Sequence, residues 1–164
     1  MKSVVTRAVC PGSFDPVTHG HLDVIERTTR VAEQVIVAVG RNMAKNALFS
    51  PEERVDMLSA ECSRWPSVSV TLFDGLLVDF CTANGVEVIS KGLRGGDFDY
   101  ELRMAQMNRQ LTGVDTVFFP TAPQWAYVSS SLVREVATLG GDVTGFLPPA
   151  VAARTAARVS ERRS

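Results

Sequence analysis

Short runs of β-branched and aromatic residues alternate with helix-forming stretches along almost the whole chain. The runs predict strands at 4–9, 35–39, 68–73, 86–89 and 116–119. Between the runs, apolar residues recur every three or four positions, which predicts helices. Strands that alternate with helices are joined by right-handed crossovers into a parallel sheet with helices on both faces. We therefore expect an α/β fold with a doubly wound, mostly parallel, five-stranded, Rossmann-like sheet.

Capping residues predict several helix ends. Ser50, Pro51 and Glu53 form a capping box with proline at the first helical position, so a helix should begin at Pro51. Gly85 follows Asn84 as a C-terminal cap would. The stretch 148–164 predicts a last helix whose arginine-rich face lies in solvent.

Length and charge limit the class of protein. The 164 residues, 45% of them hydrophobic, suit a single domain spanning 1–164. With 17 basic and 18 acidic residues the net charge is −1, so no bulk positive field attracts a polyanion. We expect no nucleic acid as the main partner.

Cysteines and hydropathy indicate a compartment. Cys10, Cys62 and Cys81 lie in hydrophobic stretches without metal-ligand spacing, which predicts three buried thiols in a reducing cytosol. No run approaches the ~18 apolar residues that a membrane span needs, and no signal-peptide core is present. We expect a cytoplasmic protein without a membrane anchor.

The loops that follow the strands are the expected ligand sites, because ligands bind beyond the carboxyl ends of strands in such sheets. Four of these loops are unusual: 11–21, 41–49, 91–97 and 120–131. In the first, Gly12 permits close approach of a ligand to the backbone, and a helix begins near Gly20 with free N–H groups. The loop therefore predicts an anion site, yet it matches neither the dinucleotide fingerprint nor the P-loop.

A histidine pair in the first loop raises the possibility of a metal site. His19 and His21 form a His-x-His pattern with no third ligand at a suitable spacing. We therefore expect no protein-bound metal.

The same loop carries a family resemblance. PGSFDPVTHGH (11–21) resembles the T/HxGH signature of the nucleotidyltransferase superfamily and, over its whole length, that of the phosphopantetheine adenylyltransferases. KGLRGGDFDYE (91–101) and WAYVSSSLVREV (125–136) are similar to further motifs of that family in the same order. The resemblance covers nearly the whole chain.

The resemblance implies an enzyme that transfers the adenylyl group of ATP to 4′-phosphopantetheine, reversibly, giving dephospho-coenzyme A and pyrophosphate. It also implies Mg²⁺ with ATP and a homohexamer. The acceptor phosphate is already anionic, so the site must align two polyanions and stabilise the charge on phosphorus without a general base.

The resemblance assigns residues to these tasks. The catalytic set is His21, Lys45 and Arg94, with His21 on the α-phosphate. The ATP-binding set is Ser13, Phe14, His21, Gly92, Leu93, Arg94, Glu101, Trp125, Ala126, Tyr127, Val128, Ser129, Ser130, Ser131 and Arg134. The phosphopantetheine-binding set is Ser13, Lys45, Leu77 and Lys91.

Two positions depart from the family pattern. Lys91 stands where arginine is common, so the acceptor phosphate would meet a point charge instead of a planar fork. Only Gly95 and Gly96 separate Arg94 from Asp97, one residue fewer than is common, which shortens the reach to Glu101 by about 3.5 Å.

Two other functions stay open at this point. A sister nucleotidyltransferase would act on nicotinate mononucleotide or glycerol phosphate, and the triple serine argues against it. A nucleotide-sensing module would keep the fold and lose the chemistry, and the presence of His21, Lys45 and Arg94 argues against that.

Overall fold

The computed structural model describes residues 5–41 and 46–164. Within these ranges, five strands form one sheet: β1 (Val5–Gly12), β2 (Ala32–Gly40), β3 (Val68–Phe73), β4 (Val88–Leu93) and β5 (Asp115–Pro120). Their order is β3-β2-β1-β4-β5 and every pair is parallel. The predicted doubly wound α/β fold is confirmed, and the expected mostly parallel sheet is parallel throughout.

In the described residues, six α-helices connect or flank the strands. They are α1 (His19–Thr28), α2 (Pro51–Cys62), α3 (Leu77–Ala83), α4 (Phe98–Thr112), α5 (Ser130–Thr138) and α6 (Pro149–Arg163). A short 3₁₀ turn, Pro123–Trp125, precedes α5. In the described part of the chain, no helix is long and apolar enough to cross a membrane.

The sheet is buried from both faces because side chains alternate along each strand. Ala8, Cys10 and Val37 point into a core shared with α1, α2, α5 and α6. Val9 and Ala38 point into a second core, which includes Cys81 of α3. All three cysteines are buried and free, as predicted.

The predicted helix boundaries agree closely with the structure. Ser50 caps α2 and exchanges hydrogen bonds with Glu53, so the predicted capping box is confirmed. Gly85 follows α3 with φ 62°, in the left-handed region that favours glycine as a C-terminal cap.

Several local predictions are only partly right. β2 begins at Ala32, three residues before its predicted start. β1 extends to Gly12, and β4 begins at Val88 instead of residue 86 and runs to Leu93, so 91–93 belong to a strand and not to a loop. The arginine face of α6 is not simply in solvent. Arg158 donates to the Leu48 carbonyl at 2.8 Å and pairs with Glu53 at 2.5 Å, because α6 packs across the segment that precedes α2.

Candidate active site

A cavity of about 540 Å³ opens where β1 and β4 end side by side. β2 lies beside β1 on one side and β4 lies beside β1 on the other. The order of the strands therefore reverses between β1 and β4. Ligands in doubly wound sheets bind at such a switch point. The amino ends of α1 and α5 also face this cavity, which gives it two positive helix-dipole ends.

Most of the residues predicted to bind the two substrates line this cavity. They are Ser13, Phe14, His21, Lys91, Gly92, Arg94, Glu101, Val128, Ser129, Ser130, Ser131 and Arg134. Leu77 lines an adjoining cavity of about 180 Å³ between α3 and α4. Lys91 and Glu101 line both cavities and so mark the boundary between them.

The other predicted residues lie elsewhere. The Leu93 carbonyl accepts the Thr121 N–H at 3.1 Å, and Trp125 packs against the main core. Ala126 and Tyr127 are exposed beside the cavity and do not line it. Lys45 falls outside the described residues.

The β1–α1 loop, residues 13–18, has an unusual backbone. Phe14 adopts φ 52°, a left-handed conformation that is uncommon for a residue with a side chain. Its buried ring lies over Gly12, where an added Cβ would come within 3.0 Å of the ring. Gly12 is therefore needed for the close approach of this loop to β1.

Asp15 is a buried hub that the sequence did not single out. Its carboxylate accepts the N–H groups of Leu48 and Phe49 at 2.8 and 2.9 Å. Its carbonyl accepts from Arg134 at 2.6 Å. Asp15 thus ties the β1–α1 loop to α5 and to the segment that enters α2.

His21 is held by the cap of its own helix. Thr18 is the N-cap of α1, and its backbone N–H donates to Nδ1 of His21 at 3.0 Å. A neutral ring that accepts at Nδ1 carries its proton on Nε2, so the ring is a donor for a ligand in the cavity that it lines. Burial, aided by the charge of Arg94, lowers the pKa of His21 to about 4, which keeps the ring neutral.

The two histidines of the loop face different surroundings. The His21 ring meets Phe14 edge-on at 5.0 Å, whereas the His19 ring stacks against Trp125 at 4.9 Å. In residues 5–41 and 46–164, no three His, Cys, Asp or Glu side chains are grouped to hold a metal ion.

Gly95 and Gly96, the short segment between Arg94 and Asp97, form a hydrogen-bonded turn. The Asp97 N–H donates to the Arg94 carbonyl at 3.0 Å, and the Asp97 carboxylate accepts from Nε of Arg94 at 2.8 Å. Arg94 also donates to the Val128 carbonyl at 3.0 Å. The turn fixes Arg94 on the cavity wall, and α4 begins directly after it at Phe98.

Lys91 and Glu101, which the resemblance assigned to different substrates, bind each other. The Lys91 ammonium lies 2.8 Å from a Glu101 carboxylate oxygen, and both side chains are largely shielded from solvent. An anion that approaches Lys91 therefore has to share the ammonium with Glu101.

The three serines before and within α5 have different partners. Ser129 is the N-cap and accepts the Leu132 N–H at 3.1 Å. Ser130 donates its hydroxyl to the Pro16 carbonyl at 2.7 Å. Ser131 is exposed and accepts a long contact of 3.4 Å from Arg134. The hydroxyls of Ser129 and Ser131 are thus the freer donors for a phosphate.

Arg54 also lines the cavity, although it belongs to none of the motifs identified in the sequence. It is 2% exposed and lies on the buried face of α2 with Met57, Leu58 and Cys62. The sequence did hold one sign of its importance. Arg54 lies four residues before Leu58 and so on the apolar face of α2, where a charged residue is exceptional.

Comparisons with known proteins agree with this geometry. Residues 9–136 match the model of the cytidylyltransferase-like family. The chain is 57% identical to the phosphopantetheine adenylyltransferase of Nocardioides sp. over 157 residues, which cover 95% of this chain and 99% of the relative. It is 52% identical to the phosphopantetheine adenylyltransferase of Streptomyces coelicolor, again over 95% and 99% of the two chains.

Solved structures support the fold. A putative nicotinate-nucleotide adenylyltransferase from Vibrio parahaemolyticus superposes with a TM-score of 0.70 at 17% identity, over 98% of this chain and 97% of that one. At that identity the likeness shows a shared fold.

Proposed function

Since this chain belongs to the cytidylyltransferase-like family and, within it, to the phosphopantetheine adenylyltransferases, we propose that its cavity binds ATP and 4′-phosphopantetheine side by side. The enzyme transfers the adenylyl group of ATP to 4′-phosphopantetheine and releases pyrophosphate, which gives dephospho-coenzyme A in a reversible step of coenzyme A biosynthesis. The observation that carries the assignment of this cavity is the orientation of His21, a neutral donor fixed by its own helix cap.

The chemistry asks for alignment more than for proton transfer. A phosphate oxygen of phosphopantetheine attacks the α-phosphorus of ATP, a new P–O bond forms, and the bond to pyrophosphate breaks in line with it. The nucleophile is already an anion, so no side chain has to take a proton. The protein has to hold two polyanions together and stabilise the charge on the five-coordinate phosphorus.

His21 is the residue placed to stabilise that charge. Its Nε2–H donates to an oxygen of the α-phosphate, and the bond strengthens as negative charge develops there. Because Nδ1 is already bonded to Thr18, the ring is oriented before substrates arrive. Arg94, held by Asp97 and the Val128 carbonyl, adds a fixed positive charge on the same wall.

The acceptor side of the site lies toward α4. Lys91 binds the phosphate of phosphopantetheine at the boundary of the two cavities. Its ammonium group then shares its hydrogen bonds between this phosphate and the Glu101 carboxylate. The pantetheine arm then extends past Leu77 into the smaller cavity, whose wall includes Met104 and Met107. We assign Lys45 to the reacting phosphates from the family resemblance alone.

The nucleotide side of the site is the amino end of α5. Ser129 and Ser131, free N–H groups of the first turn and Arg134 receive the triphosphate, with the adenine beyond Trp125 to Val128. An ATP-dependent nucleotidyltransferase uses a divalent metal, and we assign Mg²⁺, which enters on the oxygens of the triphosphate that it prefers as ligands.

We infer that the chain assembles as a homohexamer in the cytoplasm. The support for assembly, besides the family, is that α4 has no buried residue, while Tyr100, Met107 and Leu111 are 67%, 57% and 56% exposed. A helix with so many open apolar side chains normally packs against a partner. Sedimentation of wild type and Tyr100→Glu tests this, since a hexameric wild type and a smaller variant are expected, and Tyr100 lines neither cavity.

Pyrophosphate release from ATP tests the function directly. The assay runs with 4′-phosphopantetheine, nicotinate mononucleotide and glycerol phosphate as separate acceptors. We expect release with phosphopantetheine alone. Release with nicotinate mononucleotide instead would assign a sister activity, and ATP binding without release for any acceptor would indicate a sensing module.

A further inference from the structure

Arg54 connects three separate segments beneath the cavity. Its Nη1 donates to the Ser13 carbonyl at 2.5 Å and to the Gly40 carbonyl at 3.4 Å. Its Nε donates to the Ser50 carbonyl at 3.4 Å. The shortest of these bonds is made to the β1–α1 loop, at the peptide that joins Ser13 to Phe14.

This bond fixes the direction of one peptide group. In a trans peptide the C=O and the following N–H point to opposite sides. With the Ser13 carbonyl directed at Arg54, the Phe14 N–H points away from it. Within the described part of the chain, no acceptor takes the Phe14 N–H, although Ser13 and Phe14 both line the cavity.

The backbone at this point needs such support. Phe14 is held at φ 52°, a left-handed conformation that is unfavourable for a residue with a side chain. Such a conformation persists only where the surroundings enforce it. The Arg54 bond constrains it on one side, and the packing of the Phe14 ring against Gly12 constrains it on the other.

The charge of Arg54 is also unusual. The side chain is 2% exposed, and within residues 5–41 and 46–164 no carboxylate oxygen lies within 4.0 Å of it, although the charges of Asp15 and Glu52 act on it from farther away. Its Nη2 is buried without an acceptor in the same part of the chain. Burial of a cation with no carboxylate in direct contact is costly, so an arginine at this position needs an explanation beyond the packing of α2.

We propose that Arg54 is a positioning residue for adenylyl transfer, because its bond to the Ser13 carbonyl turns the Phe14 N–H into the cavity as a phosphate donor. The proposal rests on the function proposed above. It explains why a charged side chain occupies the apolar face of α2 next to Leu58.

Three variants test it. Arg54→Met removes the charge and the bond, Arg54→Lys keeps the charge with a single ammonium, and Arg7→Met is the matched control. Arg7 donates to the Asn84 carbonyl at 2.5 Å, the same bond at the opposite end of β1. All are compared with wild type for kcat, KM and unfolding temperature.

We expect Arg54→Met to lower kcat about 10- to 100-fold, part of what one lost transition-state donor costs, with a smaller change in KM for ATP. Arg54→Lys should recover part of that loss. Arg7→Met should lower the unfolding temperature and leave kcat within about two-fold, because its bond lies far from the chemistry.

Two results would overturn the proposal. One is an unchanged kcat in folded Arg54→Met. The other is a loss of kcat that is proportional to the loss of folded protein, and equally so in Arg54→Met and Arg7→Met. That result would give Arg54 a purely structural role. If wild type itself releases no pyrophosphate with phosphopantetheine, the proposed function fails first, and that result is separate from the variant comparison.

A measurement on wild type keeps the test independent of variant folding. With ¹⁵N-phenylalanine labelling, the eight phenylalanine amides can be followed on addition of a non-hydrolysable ATP analogue. We expect the Phe14 amide to shift downfield more than the others, as a new hydrogen bond to phosphate requires. A Phe14 amide that does not move at an analogue concentration that calorimetric titration shows to saturate the protein would contradict the proposal.

Discussion

The backbone N–H of Thr18 donates to Nδ1 of His21 across 3.0 Å, and this bond places the proton of the neutral imidazole on Nε2. The same threonine side chain accepts the His21 N–H, so the catalytic candidate is also part of the capping box of α1. The hydrogen bonds that cap α1 therefore also orient the His21 ring.

Replacing the two histidines separately should give very different results. His21→Ala should lower kcat about 10²- to 10³-fold, because it removes a donor to charge that develops in the transition state. His19→Ala should stay within a few-fold of wild type, since its ring stacks on Trp125. The measurement is kcat and KM for both variants.

Metal content after dialysis is the control for the histidine pair. Equal loss of activity in both variants together with loss of a bound transition metal would replace this assignment with a histidine-ligated metal site.

The ionisation of His21 should appear in stability at low pH. Burial lowers its pKa to about 4 from 6.5, so the neutral ring stabilises the folded state fully above pH 6.5. That contribution is lost as the pH falls through 6.5 toward 4, because the unfolded chain takes up the proton first. The urea midpoint of wild type should therefore fall more steeply over this window than that of His21→Asn, which has no titrating ring. Equal slopes would show that the pKa is not lowered.

Arg134→Ala should weaken ATP binding about tenfold, on the scale of one charge-assisted hydrogen bond, and affect phosphopantetheine less. Arg134 lies on α5 beside Ser131, and it also holds the Asp15 carbonyl at 2.6 Å. Calorimetric titration with ATP gives the affinity. Arg64→Ala, at the end of α2 and far from the cavity, is the control. An unchanged ATP affinity in Arg134→Ala would remove the residue from the nucleotide site.

Gly12→Ala should lower activity and destabilise the fold by about 1–3 kcal/mol, as overpacking does in a filled core. The new Cβ would lie 3.0 Å from the Phe14 ring and push against the strained loop that carries the Phe14 N–H. Urea unfolding and kcat are the measurements. Gly145→Ala serves as the control, because nothing lies within 4 Å of its added Cβ. Equal losses of stability and kcat in the two variants would mean that the Phe14 ring moves away from the new Cβ at no cost.

Local chemistry let the sequence predict most of the fold. Ser50, Glu53 and Gly85 act within one turn of their own position, so a linear pattern is enough to place the helix ends that they cap. The alternation of strands and helices predicted the parallel sheet, because a helix between two strands joins them in parallel with one preferred handedness. The strand ends at Gly12 and Leu93 were misplaced because pairing with neighbouring strands, which is not local, extends β1 and β4.

By itself, then, the sequence determined the fold class, the family and the loops that meet at the cavity. Only the tertiary structure decided how residues far apart in the chain share their partners. It placed Lys91 in an ion pair with Glu101. It also let the Ser130 hydroxyl donate to the Pro16 carbonyl and the buried Arg54 donate to the Ser13 carbonyl. Those contacts depend on distances between segments that fold together across the sheet, and a hydrogen bond of about 3 Å has no periodicity that a linear pattern could record.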